Sequence, residues 1–298
     1  MNGANADGAI AATEAINPET RGLDMLATGE LVALLAREQR AAADAVAAVS
    51  PAIARAIDAI TGRLRAGGTL HYVGAGTSGR LAMLDAAECP PTFGTSPAFV
   101  VAHVAGGSLA LVRAVEGAED DGAAGAAEMR DVRAADAVVG ISASGGAAYV
   151  LAALDCARAS GALTIGVTSV ASSRLARESE LAIVTATGAE PLAGSTRLKA
   201  GTAQKLVLNA LSTGTMIRLG RVYDNVMVDV VATNAKLRSR ALRLVRELAA
   251  VDADRASVLL DAAAGSVKTA IAMERCGIDA SLARARLAAA GGFLRAIL

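Results

Sequence analysis

Hydrophobic and polar positions change their period twice along the chain. Residues 26–39 and 42–65 carry apolar side chains at the three-to-four spacing of amphipathic helices, with Ser50-Pro51 as an N-cap and first-turn proline inside the second stretch and Gly67-Gly68 ending it. Short apolar runs rich in Val, Ile and Thr follow at residues 69–73, 98–104, 136–141, 163–168 and 181–185, with helical stretches between them. Runs of that length alternating with helices predict an α/β fold, a doubly wound five-stranded parallel sheet flanked by helices. Past Arg197 the chain reads as entirely helical, with long segments at 199–219 and 234–249 and a small C-terminal helical appendage through 253–260, 266–275 and 281–290. Residues 1–20, with Asn17-Pro18, read as an arm or cap rather than a packed element. The expected division is 1–54 for the N-terminal arm and helices, 55–218 for the sheet domain and 219–298 for the C-terminal helical region.

Charge and composition narrow the function classes. The 298 residues carry 29 Lys and Arg against 29 Asp and Glu, and aromatics are only 2%, so neither a global field nor stacking platforms for nucleic acid are present. Cys89, Cys156 and Cys276 are odd in number and far apart, which fits a reducing cytoplasm and has no metal-type spacing. His71 and His103 lie in strand-like runs and read as sheet residues rather than ligands, since a zinc site needs three or four convergent groups. The N-terminus has no basic region followed by an apolar core, so no secretory signal is expected. The uncharged stretch 137–154 is interrupted by Ser142-Ala-Ser-Gly-Gly146, which argues against a membrane span. The run Lys236, Arg238, Arg240, Arg243, Arg246 reads as a solvated helix face.

Two loops carry the candidate chemistry. After the first strand the chain turns through Gly74, Gly76 and Gly79 into a helix N-terminus, where backbone N–H groups and the helix dipole favour an anion. The second strand runs into Ala105-Gly106-Gly107 and lacks the ribose-binding acid of a dinucleotide fold, and no Gly-Lys-Ser/Thr follows to make a nucleotide loop. Thr77 and Ser78 add hydroxyls, which suits a single phosphate ester. A second loop, Ser142-Ala-Ser144-Gly145, follows the third strand and opens another helix; it departs from the Gly-x-Ser-x-Gly nucleophile elbow, so oxyanion binding is preferred to acyl transfer. Glu88, beside Cys89-Pro90-Pro91 at the expected end of its helix, reads as a carboxylate with a raised pKa suited to acid–base work. The acidic cluster Glu116, Glu119, Asp120, Asp121 reads either as a solvated turn or as a second source of carboxylate.

Gly74-Ala-Gly-Thr-Ser-Gly-Arg-Leu with Leu84-Asp-Ala-Ala-Glu-Cys-Pro-Pro-Thr-Phe-Gly94 closely resembles the N-acetylmuramic acid 6-phosphate etherase family of the sugar isomerase (SIS) superfamily. The resemblance continues through Thr13-Glu-Ala-Ile-Asn-Pro-Glu-Thr20, Ala114-Val-Glu-Gly-Ala-Glu-Asp120, the segment Gly194 to Lys205 and Val226-Met-Val-Asp-Val-Val-Ala-Thr-Asn234. It implies an SIS-type sheet, a homodimer, a phosphorylated amino-sugar substrate and no metal or redox cofactor. It also implies Glu88 and Glu119 as the catalytic pair, with Glu116 ranked below them. The phosphosugar would be bound by Gly76, Thr77, Ser78, Gly79, Ser142, Ser144, Gly145, Ser195, Thr196 and Lys199. The chain departs from the family at Ser144-Gly145-Gly146-Ala147-Ala148, where a Ser-Gly-Arg-Thr-Pro sequence is usual. A guanidinium and a hydroxyl are missing there, which shifts the phosphate contacts onto the remaining hydroxyls and amides. The rival readings are a non-catalytic sugar-phosphate sensor and an aldose–ketose isomerase.

Overall fold

The computed structural model describes residues 12–229 and 235–298. Two helices, α1 (Thr28–Ala48) and α2 (Ser50–Arg65), open the chain and meet at a bend of 59°. The break falls at Val49 rather than near residue 40, because Pro51 has no N–H for the carbonyl of Ala47 and its ring would clash with it. Ser50 Oγ donates to that carbonyl at 2.6 Å instead.

The chain then alternates β1 (Leu70–Gly74), α3 (Gly76–Phe93), β2 (Val100–Val104), α4 (Leu109–Val112), α5 (Gly122–Glu128), β3 (Ala137–Ile141), α6 (Ala148–Ala159), β4 (Leu163–Thr168), α7 (Arg174–Glu178), β5 (Leu181–Val184) and α8 (Lys199–Arg218). The five strands form one parallel sheet in the order β2-β1-β3-β4-β5. All residues of β3 and β4 are buried, which is why these strands read as unbroken apolar runs. Helices α2 and α6 pack on the sheet, and Tyr149, Val150, Ala153 and Leu154 of α6 join Val73 and Val138 in a core cluster. Gly74 is the register partner of Ile141, so the loops that leave β1 and β3 lie side by side where the strand order reverses.

The region past Arg197 is not wholly helical. A two-stranded antiparallel hairpin, β6 (Val222–Tyr223) and β7 (Val226–Met227), turns through Asp224 and Asn225, with Asp224 at φ 54°. Asp and Asn tolerate that left-handed conformation, which the tight turn requires. After it come α9 (Ala235–Ala249), α10 (Ala253–Ala262), α11 (Val267–Cys276) and α12 (Ala280–Ala289). Asp252, Ser266 and Asp279 cap the last three by accepting a first-turn N–H, and the helices share a core of Leu244, Val245, Leu259, Leu260, Ala270 and Ile271. On α9, Arg238 pairs with Asp261 and Arg243 with Glu247, all exposed, as a solvated face would have it. Residues 1–11, the 230–234 part of the segment ending at Asn234, and the side chain of Lys236 lie outside the described residues.

The chain forms two compact units. One runs to Ala87 and resumes at Ala98–Ser212; the other comprises Glu88–Pro97 and Thr213–Leu298. Among the described residues no single helix is long and apolar enough to cross a membrane.

Candidate active site

A cavity of about 300 Å³ opens at the ends of β1 and β3 in the first unit. Its first wall is the turn into α3, where Ala75, Gly76, Thr77 and Ser78 line the space. Helix α3 starts at Gly76, so its first amides have no intrahelical partner and face the cavity with the dipole's positive end. A Cβ on Gly79 would stand 2.7 Å from the carbonyl oxygen of Gly74, so these glycines let the helix start directly against the strand. Ser78 Oγ is 2.9 Å from Gln204 Oε1, to which it donates, while the buried Gln204 Nε2 has no partner among the described residues. Rotating that amide would let Nε2 donate to Ser78 Oγ and release the hydroxyl proton to the cavity.

The second wall is the loop from β3 to α6, contributing Ile141, Ser142, Ala143, Ser144 and Ala147. Ser142 Oγ accepts from Gly145 N at 3.1 Å and Ser144 Oγ from Gly146 N at 3.4 Å. Both oxygens act as acceptors toward the loop, which leaves both hydroxyl protons for an anion. The loop is pinned from β4, where Thr168 Oγ1 donates to Ala143 O at 3.1 Å and Ser169 N donates to the same carbonyl at 2.9 Å. The methyl side chain of Ala147 cannot accept a hydrogen bond to cap α6, so the first amides of that helix also lack an intrahelical partner.

Gly194, Thr196, Glu14 and Glu119 complete the cavity. Glu14 was not singled out from the sequence. It arrives because the N-terminal segment is packed rather than loose: Gly194 N donates to Thr13 O at 3.1 Å, Thr20 Oγ1 donates to Pro191 O at 2.9 Å, and Thr13, Asn17 and Thr20 are buried. Lys199 is turned away from the role expected of it. Its ammonium donates to Glu38 Oε2 at 3.1 Å, with both side chains largely buried, and its amide donates to Glu190 Oε2 at 2.8 Å. Ala200 N donates to Glu190 Oε1 at 2.9 Å, so a fully buried carboxylate already occupies the N-terminus of α8. Thr196 lines the cavity; Ser195, beside it, is half-buried and donates its amide to Leu192 O. Gly79 and Gly145 support the two loops from behind.

A second cavity of about 230 Å³ shares Ala75, Gly76, Thr77 and Glu119 with the first. Glu119 sits on a short 3-10 turn, Ala118–Asp120, and is exposed at the junction; Glu116 lines only the second cavity. The acidic cluster is therefore partly a cavity wall and partly a cap, since Asp121 accepts from Ala124 N at the start of α5.

Glu88 is exposed on α3 and belongs to the second unit. Its helix does not stop at the prolines: Pro90 and Pro91 lie inside it, and the end comes at Gly94, at φ 63°, whose amide donates to Pro90 O at 2.9 Å. One turn before Glu88, Asp85 is buried and accepts from Tyr72 Oη, Asn209 Nδ2 and Ser212 Oγ. Burial raises its pKa, against the pull of those hydrogen bonds. This tie of α3 to β1 and α8 was not visible in the sequence.

Residues 113–214 match the SIS domain family and residues 52–158 match the glucokinase regulatory protein N-terminal SIS domain. The N-acetylmuramic acid 6-phosphate etherase of Gloeobacter violaceus is 52% identical over 284 residues, covering 95% of this chain and 93% of the relative. That of Pectobacterium atrosepticum is 48% identical over 300 residues, covering 100% of this chain and 99% of the relative. Among solved structures, a phosphoheptose isomerase from Francisella tularensis has the same fold, with a TM-score of 0.51 at 19% identity over 63% of this chain and 97% of that one.

Proposed function

Because the chain belongs to the N-acetylmuramic acid 6-phosphate etherase family, we infer that it cleaves the D-lactyl ether of N-acetylmuramic acid 6-phosphate, giving N-acetylglucosamine 6-phosphate and D-lactate. It is a carbon–oxygen lyase of cell-wall amino-sugar recycling. The observation that carries the reading to these residues is the cavity in which Ser142, Ser144 and the N-termini of α3 and α6 surround one space with Glu119. Hydroxyl protons and free amides suit the phosphate; a carboxylate suits proton transfer at the sugar.

Opening of the sugar ring produces a C1 aldehyde, which acidifies the C2 proton. Loss of that proton and of the C3 oxygen, which leaves protonated as D-lactate, gives a 2,3-unsaturated aldehyde. Water then adds its hydroxyl to C3 and a proton returns to C2, so one water is consumed overall. In this scheme Glu119 takes the C2 proton or activates the water, and Glu88 protonates the departing oxygen. The aldehyde itself supplies the electron sink, so the chemistry calls for no metal or redox cofactor.

The test is D-lactate release from purified protein, with Glu88→Gln and Glu119→Gln in parallel. Release by the wild type and a loss of at least about a hundredfold in each variant supports the carboxylate pair. The match of residues 52–158 to a regulatory protein's domain favours one second reading, a sugar-phosphate sensor. Saturable substrate binding without lactate would replace the lyase with that sensor.

The same reading makes the protein a cytoplasmic homodimer. Helix α1, in which Ala42 alone is fully buried and Val32 is 60% exposed, leaves a face open for association, and the three free cysteines suit a reducing compartment. Sedimentation at a dimer mass supports the assembly. The matched residues also support a phosphosugar-binding domain at 55–218, with the C-terminal helical region after it.

A further inference from the structure

The cavity beyond Glu119 has a composition that the phosphate cavity lacks. Its walls include Ala105, Ala110, Ala114 and Ala118, and the cation among them is Arg80. Arg80 follows Gly76 by one turn of α3, which puts its guanidinium on the face that also presents the start of the helix. Among the described residues Arg80 forms one hydrogen bond, from Nη2 to Arg113 O at 3.1 Å, and no ion pair with a carboxylate. Four of its five N–H donors are left over, in a planar fork that matches a carboxylate. Glu116 and Glu119 line the same space, so an anion entering it needs that guanidinium to offset their charge.

The geometry points to this alanine-walled compartment as the lactyl subsite, with Arg80 binding the lactyl carboxylate and the alanines receiving the lactyl methyl. The inference rests on the etherase reading and deepens it. The phosphorylated sugar occupies the larger cavity, the lactyl group the smaller, and the C3 ether bond spans the junction that Glu119 shares with both. Arg80 thereby selects the three-carbon hydroxy-acid ether over a phosphosugar that lacks it, and holds the leaving group in line with the junction.

The experiment measures wild type, Arg80→Lys and Arg80→Gln on three ligands: N-acetylmuramic acid 6-phosphate, its lactamide analogue with the carboxylate neutralised, and N-acetylglucosamine 6-phosphate. Lactate release gives KM and kcat for the first, and calorimetry gives binding for all three. The expected result for Arg80→Gln is an affinity for the lactyl substrate weakened about 10- to 100-fold, with binding of N-acetylglucosamine 6-phosphate unchanged. Wild type should itself prefer carboxylate to carboxamide by a similar factor, an arm that stands even if a variant folds poorly. Equal wild-type affinity for carboxylate and carboxamide overturns the inference while leaving the etherase reading intact. Equal weakening of both phosphosugars in Arg80→Gln also overturns it, because Arg80 would then serve the phosphate. A wild type that releases no lactate removes the etherase reading and this inference with it.

Discussion

Asp85 of α3 and Asn209 of α8 meet at 2.6 Å, the amide Nδ2 donating to carboxylate Oδ1. Ser212 Oγ donates to the same oxygen at 3.1 Å and Tyr72 Oη to the other at 3.0 Å, so one buried carboxylate joins two helices and a strand. Asp85→Ala should cost at least about 2 kcal/mol in urea unfolding, because three donors lose their acceptor in a buried place. Asp85→Asn, which keeps one acceptor oxygen, should recover part of that loss. An unchanged urea midpoint for Asp85→Ala would show that the network contributes nothing net.

Gly79→Ala tests the close start of α3. The added Cβ would stand 2.7 Å from Gly74 O and 2.7 Å from Val104 Cγ1, so the helix N-terminus must move away from β1. A displacement approaching one ångström should cut lactate release by about a hundredfold. Gly62→Ala, at an exposed position of α2 with nothing within 4 Å of the new Cβ, is the control and should leave release unchanged.

Ser142 and Ser144 should separate by function. Ser144 is exposed in the cavity and its loop hydrogen bond is long at 3.4 Å, so Ser144→Ala should raise KM about tenfold with little change in stability. Ser142 is buried and accepts Gly145 N at 3.1 Å, so Ser142→Ala should raise KM and also lower the melting temperature. Equal melting temperatures for both variants would contradict this division.

His71 and His103 make a pH-dependent contribution to stability. They lie on adjacent strands with His71 Nδ1 and His103 Nε2 3.1 Å apart; His103 Nδ1 is 2.8 Å from Glu128 and His71 Nε2 is 4.0 Å from Asp136. Burial first, and His103 second, lower the His71 pKa from 6.5 to about 4, against the opposing pull of Asp136. Between those values the unfolded chain binds the proton and the folded chain does not, so this stability is present above pH 6.5 and is lost as pH falls toward about 4. The urea midpoint of wild type should therefore drop more steeply across that window than that of His71→Gln. Parallel curves would rule the histidine out as the cause.

The five strands were legible because each is a short apolar run bounded by helical periodicity, and each predicted run overlaps its strand to within two residues at either end. The hairpin at 222–227 was missed because two-residue strands carry no period; its turn signal was Asp224-Asn225. Pro90-Pro91 predicts a helix end because proline breaks helices on average, whereas the stop that applies is Gly94.

By itself the sequence determined the sheet, the two glycine- and serine-bearing loops and the resemblance to an etherase, because strand period, turn chemistry and helix starts depend on residues close along the chain. Tertiary structure alone decided that Glu14 reaches the cavity, that Lys199 pairs with Glu38, that Glu190 fills the N-terminus of α8 and that Arg80 faces a compartment next to Glu119. Each of these depends on which distant segments pack together, and a side chain's partner is set by that packing rather than by its neighbours in sequence.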